Sequence, residues 1–144
     1  MARTIRGGLP VEFRYTPGVG NTAFLEALRD RGVLLGSRCE SCAVTYLPAR
    51  IFCERCMAEL APDTECGPEG ELASWTVGHV GIDGEPLEEP VTLGLVKLDG
   101  ADTFLMHRLL GVNPWQIGSR VVLVARPAPD RTASILDIEG FGPA

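Results

Sequence analysis

With 144 residues, 45% hydrophobic and 22% charged, the chain has room for one ordinary domain or two very small ones, and its composition is that of a soluble globular protein. The net charge of −6 is unevenly spread: residues 1–57 carry +3, residues 58–105 carry −10 and residues 106–144 carry +1. So acidic a centre argues against non-specific nucleic-acid binding, which needs a basic surface, and leaves the arginines of the first half to meet any anionic ligand.

No apolar signal region opens the chain, and no run approaches the roughly 18 apolar residues of a membrane span. The expectation is a cytoplasmic protein, neither exported nor membrane-spanning. Residues 1–20 hold three arginines, Gly7-Gly8, two prolines, Phe13 and Tyr15 without a lasting period, and read as an N-terminal arm that orders on a partner. Asn21 then stands as an N-cap and Gly32 as the residue that closes the helix, with Phe24 and Leu28 one turn apart and Leu25 beside them. This is a short amphipathic helix, stable only if its apolar stripe packs on the ribbon or on the β domain.

Val33 to Arg38 reads as a strand entering Cys39-Glu-Ser-Cys42, and Val44 to Leu47 as the strand leaving it; Ala49 to Phe52 leads into Cys53-Glu-Arg-Cys56. Two Cys-x-x-Cys pairs separated by ten residues give two tight turns, each presenting two thiolates to one ion while backbone amides face the sulfurs. The pattern is that of a Cys₄ zinc ribbon with Cys39, Cys42, Cys53 and Cys56 as ligands. Rubredoxin-type iron suits the same spacing, whereas a thioredoxin-like redox pair needs one such motif and ferredoxin cysteines lie closer together. Four protein ligands leave no open position on zinc, so the metal would be structural. Arg38, Arg50 and Arg55 flank the two turns and are candidates either to balance the thiolates or to hold a phosphate.

Met57 to Gly70, with two prolines and the turn Gly67-Pro-Glu-Gly70, reads as a linker in which Cys66 is a free, partly buried thiol. From Glu71 the period becomes two. Strands are expected over 72–80, 91–98, 103–110, 120–126 and 132–138, with an acidic loop over 81–90 and Trp115 capping one end. Five strands in so short a stretch make an OB-fold barrel the expected form. The chain therefore divides into an arm (1–20), a helix plus ribbon (21–66) and a barrel (67–144): mainly β, with one N-terminal helix. His79, His107 and Cys66 are the isolated reactive side chains, and no Ser-x-x-Lys, Gly-x-Ser-x-Gly, His-Glu-x-x-His, P-loop or dinucleotide motif accompanies them. No catalytic set emerges.

The order helix, rubredoxin-like ribbon and barrel resembles the OB-fold acyl-CoA-associated family, formerly a domain of unknown function (35). The stretches that carry the resemblance are Phe24 to Gly32, Gly36-Ser-Arg-Cys-Glu-Ser-Cys42, Leu47-Pro-Ala-Arg-Ile-Phe-Cys-Glu-Arg-Cys56, Gly67-Pro-Glu-Gly-Glu-Leu-Ala-Ser-Trp-Thr-Val77, and Gly111-Val followed by Ile117-Gly. Residues 11–18, Val-Glu-Phe-Arg-Tyr-Thr-Pro-Gly, look like the leader of a subgroup that accompanies thiolases. Leu25 and Val91 stand where the family often has aromatic residues. The resemblance implies a non-catalytic subunit with one structural Zn²⁺, forming a hetero-oligomer with a thiolase-like or related acyl-CoA enzyme (a hydroxymethylglutaryl-CoA synthase or an aldolase) and sharing its CoA thioester, a thiolase's nucleophilic cysteine being on the other chain. The alternative class is a zinc-ribbon and OB-fold nucleic-acid binder, but the barrel's expected strand aromatics, Trp75 and Phe104, are few and its acids many.

Overall fold

The computed structural model describes residues 12, 14–111 and 114–144. Most of the expected arm, including Phe13, and the Val112-Asn113 pair lie outside the described residues.

Helix α1 spans Gly18–Arg31 and starts four residues earlier than an N-cap at Asn21 would place it, so Gly18 to Gly20 belong to the helix and not to an arm. Its N-cap is Pro17, without a side-chain cap, and Asn21 lies inside the first turn. The reason is a close approach: a Cβ on Gly20 would stand 2.6 Å from the Ala49 carbonyl oxygen, so the glycine lets the helix start on that backbone. Gly20, Phe24, Ala27 and Leu28 form the buried stripe. Gly32, at φ 70°, closes the helix with its amide on the Leu28 carbonyl, as expected.

Strands β1 (Leu34–Cys39), β2 (Val44–Tyr46) and β3 (Thr64–Cys66) form a three-stranded antiparallel sheet in the order β2-β1-β3. The first half of β1 pairs with β3 and the second half with β2. The stretch read as a linker thus contains a strand, because Thr64 to Cys66 completes the ribbon's sheet instead of crossing open solvent.

The remaining strands are β4 (Glu69–Val80), β5 (Pro86–Leu98), β6 (Leu105–Arg108), β7 (Arg120–Ala125) and β8 (Ile138–Pro143), in the order β6-β5-β4-β7-β8. A parallel bridge between Leu109 and Phe141, with the Leu110 amide 2.8 Å from the Phe141 carbonyl, brings the two outer strands together as the barrel reading requires. Three expectations change. The second half of the acidic loop expected over 81–90 is strand, since β5 starts at Pro86, and residues 81–85 form the turn. The span 132–138 is not a strand: Ser134 caps a 3₁₀ turn over Ile135–Asp137, and the last strand comes after it. Phe104 precedes β6 and is not a strand aromatic.

The main core joins the two parts. Phe24, Leu28, Leu34, Leu47 and Cys66 pack with Leu72, Val96, Leu98, Trp115, Val121 and Phe141. A second, smaller cluster holds Cys39, Val44, Tyr46, Cys53 and Leu60 around the cysteines. Hydrogen bonds fasten the ribbon to the barrel: Thr45 amide to Asp102 Oδ2 at 2.9 Å, Asp102 amide to the Thr45 carbonyl at 2.9 Å, and Leu47 amide to Thr103 Oγ1 at 2.7 Å. Of the β5 residues that sequence leaves between core and surface, Val96 is buried while Leu93 and Leu95 are half-buried.

Candidate metal centre

Each cysteine pair sits on a turn of the same construction. The residue after the second cysteine adopts a left-handed conformation, Ala43 at φ 52° and Met57 at φ 60°, which turns the chain back past the sulfurs. In the second turn the Arg55 amide points at Cys53 Sγ at 3.4 Å, and the Cys53 amide donates to the Ala58 carbonyl at 2.9 Å.

The four Sγ atoms all lie within 4.8 Å of one another, and Cys39 Sγ is 3.6 Å from Cys56 Sγ. A tetrahedral Cys₄ zinc site, with Zn–S about 2.3 Å, spaces its sulfurs about 3.8 Å apart, so this set fits one ion. Cys39 and Cys53 are buried, Cys42 is half-buried and Cys56 faces solvent. Tyr46 Oη lies 3.3 Å from Cys53 Sγ, and this bond leads in holding the Cys53 thiol down to about 6. The same bond, with burial, pushes the Tyr46 phenol up to about 12. Cys42 is pushed up to about 12 by the adjacent Cys56 thiol and by burial. Four sulfurs this close become thiolates together only around a cation, which supplies the compensating charge. Tyr46 escaped the sequence reading; the signal for it was the register that puts Val44 opposite Cys39 and Tyr46 opposite Ser37.

The flanking arginines separate. Arg38 lines a polar cleft of about 500 Å³ at the ribbon–barrel junction with Thr45, Lys97, Asp99 and Arg120, and its guanidinium meets Glu40 at 3.1 Å and Thr45 Oγ1 at 3.3 Å. Arg50 lines a different cleft of about 580 Å³, between the start of α1 and Pro48 to Phe52. It pairs with Glu54 at 2.8 Å and stands 4.9 Å above the Tyr46 ring. Arg55 is exposed on the second turn. The buried hydroxyl of Ser37 donates to the Arg50 carbonyl at 2.7 Å and accepts from its amide at 3.0 Å, fixing that segment beside the metal turns.

The other reactive side chains do not converge. His79 and His107 lie on β4 and β6, with β5 between them. Burial lowers the His107 pKa, and its Nδ1 is enclosed without a hydrogen-bond partner among the described residues. Cys66 is buried in the main core, where burial pushes its thiol up and away from reactivity.

Residues 27–60 match the family profile described as the ChsH2 rubredoxin-like zinc ribbon domain, and residues 63–126 match the ChsH2 C-terminal OB-fold domain, together more than half of the chain. The chain belongs to the ChsH2-type DUF35 family. Within that family, a DUF35 domain-containing scaffold protein of Methanocaldococcus jannaschii is 23% identical over 73 residues, 50% of this chain and 52% of that protein. This DUF35 chain therefore spans about half the length of the curated relative it matches. A crystal structure of a DUF35 protein of unknown function from Sulfolobus solfataricus shares the fold, with a TM-score of 0.58 and 24% identity over 70% of this chain and 74% of that one. A chain of the structure described as Ltp2-ChsH2(DUF35) aldolase is similar over 90% of this chain and 98% of its own, at 26% identity and a TM-score of 0.64. No helix among the described residues is long and apolar enough to cross a membrane.

Proposed function

We propose that this DUF35 chain is a scaffold subunit of a cytoplasmic thiolase-type acyl-CoA enzyme complex, stabilising its partner and helping to bind the CoA thioester while the partner carries the catalytic groups. The observation that carries the reading is the likeness, over 90% of this chain, to a chain of an Ltp2-ChsH2(DUF35) aldolase, a protein whose description pairs a DUF35 component with a second component. The scaffold description of the Methanocaldococcus jannaschii relative supports the same role.

In this reading Cys39, Cys42, Cys53 and Cys56 hold one structural Zn²⁺, which supplies folding energy to a ribbon with a small core of its own. The metal organises the second turn and, through it, the Arg50 segment. Arg38, Arg50 and Arg55 are the cations offered to CoA phosphates or to acidic groups of the partner. Arg50 has the most suitable setting, at the edge of a cleft walled by Val19, Ile51 and Phe52, where an apolar wall and a guanidinium suit a phosphorylated nucleoside.

The test is to purify the tagged full-length chain from its own cells, identify co-purifying proteins by mass spectrometry and measure metal in the same sample. A stoichiometric thiolase-type subunit with about one zinc per chain supports the reading. A chain recovered alone, or with nucleic acid, overturns it.

A further inference from the structure

We propose that the outer half of the β4–β5 hairpin is an arm that seats a partner protein, and that the receiving surface is apolar at its centre and ringed by Lys and Arg side chains. The proposal rests on the scaffold reading and adds the place of contact to it.

The two strands are longer than the barrel needs. Among the described residues β4 pairs with β7 on its outer side at Glu69 to Glu71, with Leu72 bonded to Gly118 and Ser119, and β5 pairs with β6 at Leu93 to Val96, with the Leu109 amide on the Thr92 carbonyl. Among the described residues the hairpin is a two-stranded ribbon from Gly78 to Val91, and no residue from Ser74 to Val91 is buried. Such a ribbon is marginal in water by itself, and its open edges present unpaired backbone groups able to accept another strand. Val80, Ile82 and Leu87 are exposed on it, Ile82 completely, and Trp75 and Val77 are exposed at its base on β4. Trp75 and Val77 also wall a groove of about 740 Å³ with Leu109 and Trp115, so the apolar surface runs from the barrel onto the arm.

Charge chooses the occupant. Asp83, Glu85, Glu88 and Glu89 lie on the arm, and no Lys or Arg occurs from Ala73 to Val96. None of the four acids takes part in an ion pair among the described residues. CoA phosphates, nucleic acid and anionic lipid would all be repelled, and a second copy would bring four like charges against four. A protein with a basic rim has the opposite charge and can cover the apolar strip and pair with the open edges.

The experiment uses the full-length chain and the purified thiolase-type subunit that co-purification identifies. Partner retention is compared for wild type, the double variant Val80→Thr with Ile82→Ser, and the double variant Glu88→Lys with Glu89→Lys. Their melting curves alone serve as the folding control. The expected result is at least about a tenfold loss of affinity in both variants with unchanged melting, and wild-type binding that weakens as salt rises. Wild-type retention by both variants overturns the arm proposal and leaves the scaffold reading standing. Absence of any partner on the wild type overturns both. Self-association of the wild type that Ile82→Ser abolishes identifies a second copy as the occupant and overturns the proposal as well.

Discussion

Tyr46 Oη and Cys53 Sγ lie 3.3 Å apart with both side chains sealed from solvent, so the second Cys-x-x-Cys turn is tied to the ribbon's sheet by a hydrogen bond that ends on a candidate ligand atom. A phenol donating to a thiolate stabilises the charged form of the sulfur and fixes the direction from which it faces the ion. Tyr46→Phe keeps the ring under Arg50 and removes only the donor. We expect zinc affinity to fall by about 10-fold or more, measured by competition with a chromophoric chelator, with the fold retained at saturating zinc. Unchanged affinity would show that the bond does not act on the metal.

Removing a ligand is a larger change. Cys39→Ser or Cys53→Ser deletes a buried sulfur from the four-membered set and should release zinc and unfold the ribbon, read as loss of bound metal and of the ribbon's thermal transition. A variant that keeps one equivalent of zinc and the wild-type melting temperature would refute the Cys₄ assignment.

Gly36 lies where β1 leaves β3 and turns to β2, and a Cβ there would stand 2.5 Å from the Tyr46 carbonyl oxygen and 3.2 Å from Cys66 Sγ. The first contact is backbone and cannot swing away. Gly36→Ala should destabilise by about 1–3 kcal/mol in urea unfolding of the zinc-loaded protein. A variant as stable as wild type would mean that the sheet moves aside without cost.

Asp137 is buried, which by itself raises its carboxyl, yet the Thr132 and Ser134 amides and the Thr132 hydroxyl donate to it at 2.9–3.3 Å and bring it below the usual carboxylate range. A native value below the unfolded one, about 3.9, gives stability that is complete at neutral pH and is lost as pH falls through the depressed native value. Asp137→Asn should therefore be less stable than wild type at pH 7, with the gap closing below about pH 4. Urea midpoints across this range decide it, and a gap independent of pH would assign the effect to packing.

Arg50 is exposed and its pair with Glu54 is a surface pair, worth about 0–1 kcal/mol. Charge reversal at Arg38, Arg50 or Arg55 should leave melting almost unchanged while weakening CoA or partner binding, measured by calorimetry with CoA and by partner retention. If all three reversals leave both untouched, the arginines have no binding role.

The last strand and the arm show where local reading failed. Thr132 to Ile138 alternates like a strand, but Asp137 recruits the amides behind it and Ser134 closes a capping box, so the segment turns. The true strand, Ile138–Pro143, is obscured by two glycines and a proline. In the same way the acids and prolines of 81–90 suggest a loop. Pro86 and Pro90 are tolerated in β5 because that part of the strand has an open edge needing no ladder donor.

What the amino-acid sequence determined by itself was the chemistry set by near neighbours: the four cysteines in two Cys-x-x-Cys turns, the helix end at Gly32, the change to period two after Glu71, and the concentration of acids in the central third. Each depends on residues only a few positions apart, and spacing alone conveys it. Only the tertiary structure decided that Thr64 to Cys66 completes the ribbon's sheet, that Tyr46 reaches Cys53, that Arg38 and Arg50 open into different clefts, and that the β4–β5 hairpin outruns its neighbours. Those outcomes arise from register and packing between distant segments, where burial and backbone pairing override local preference.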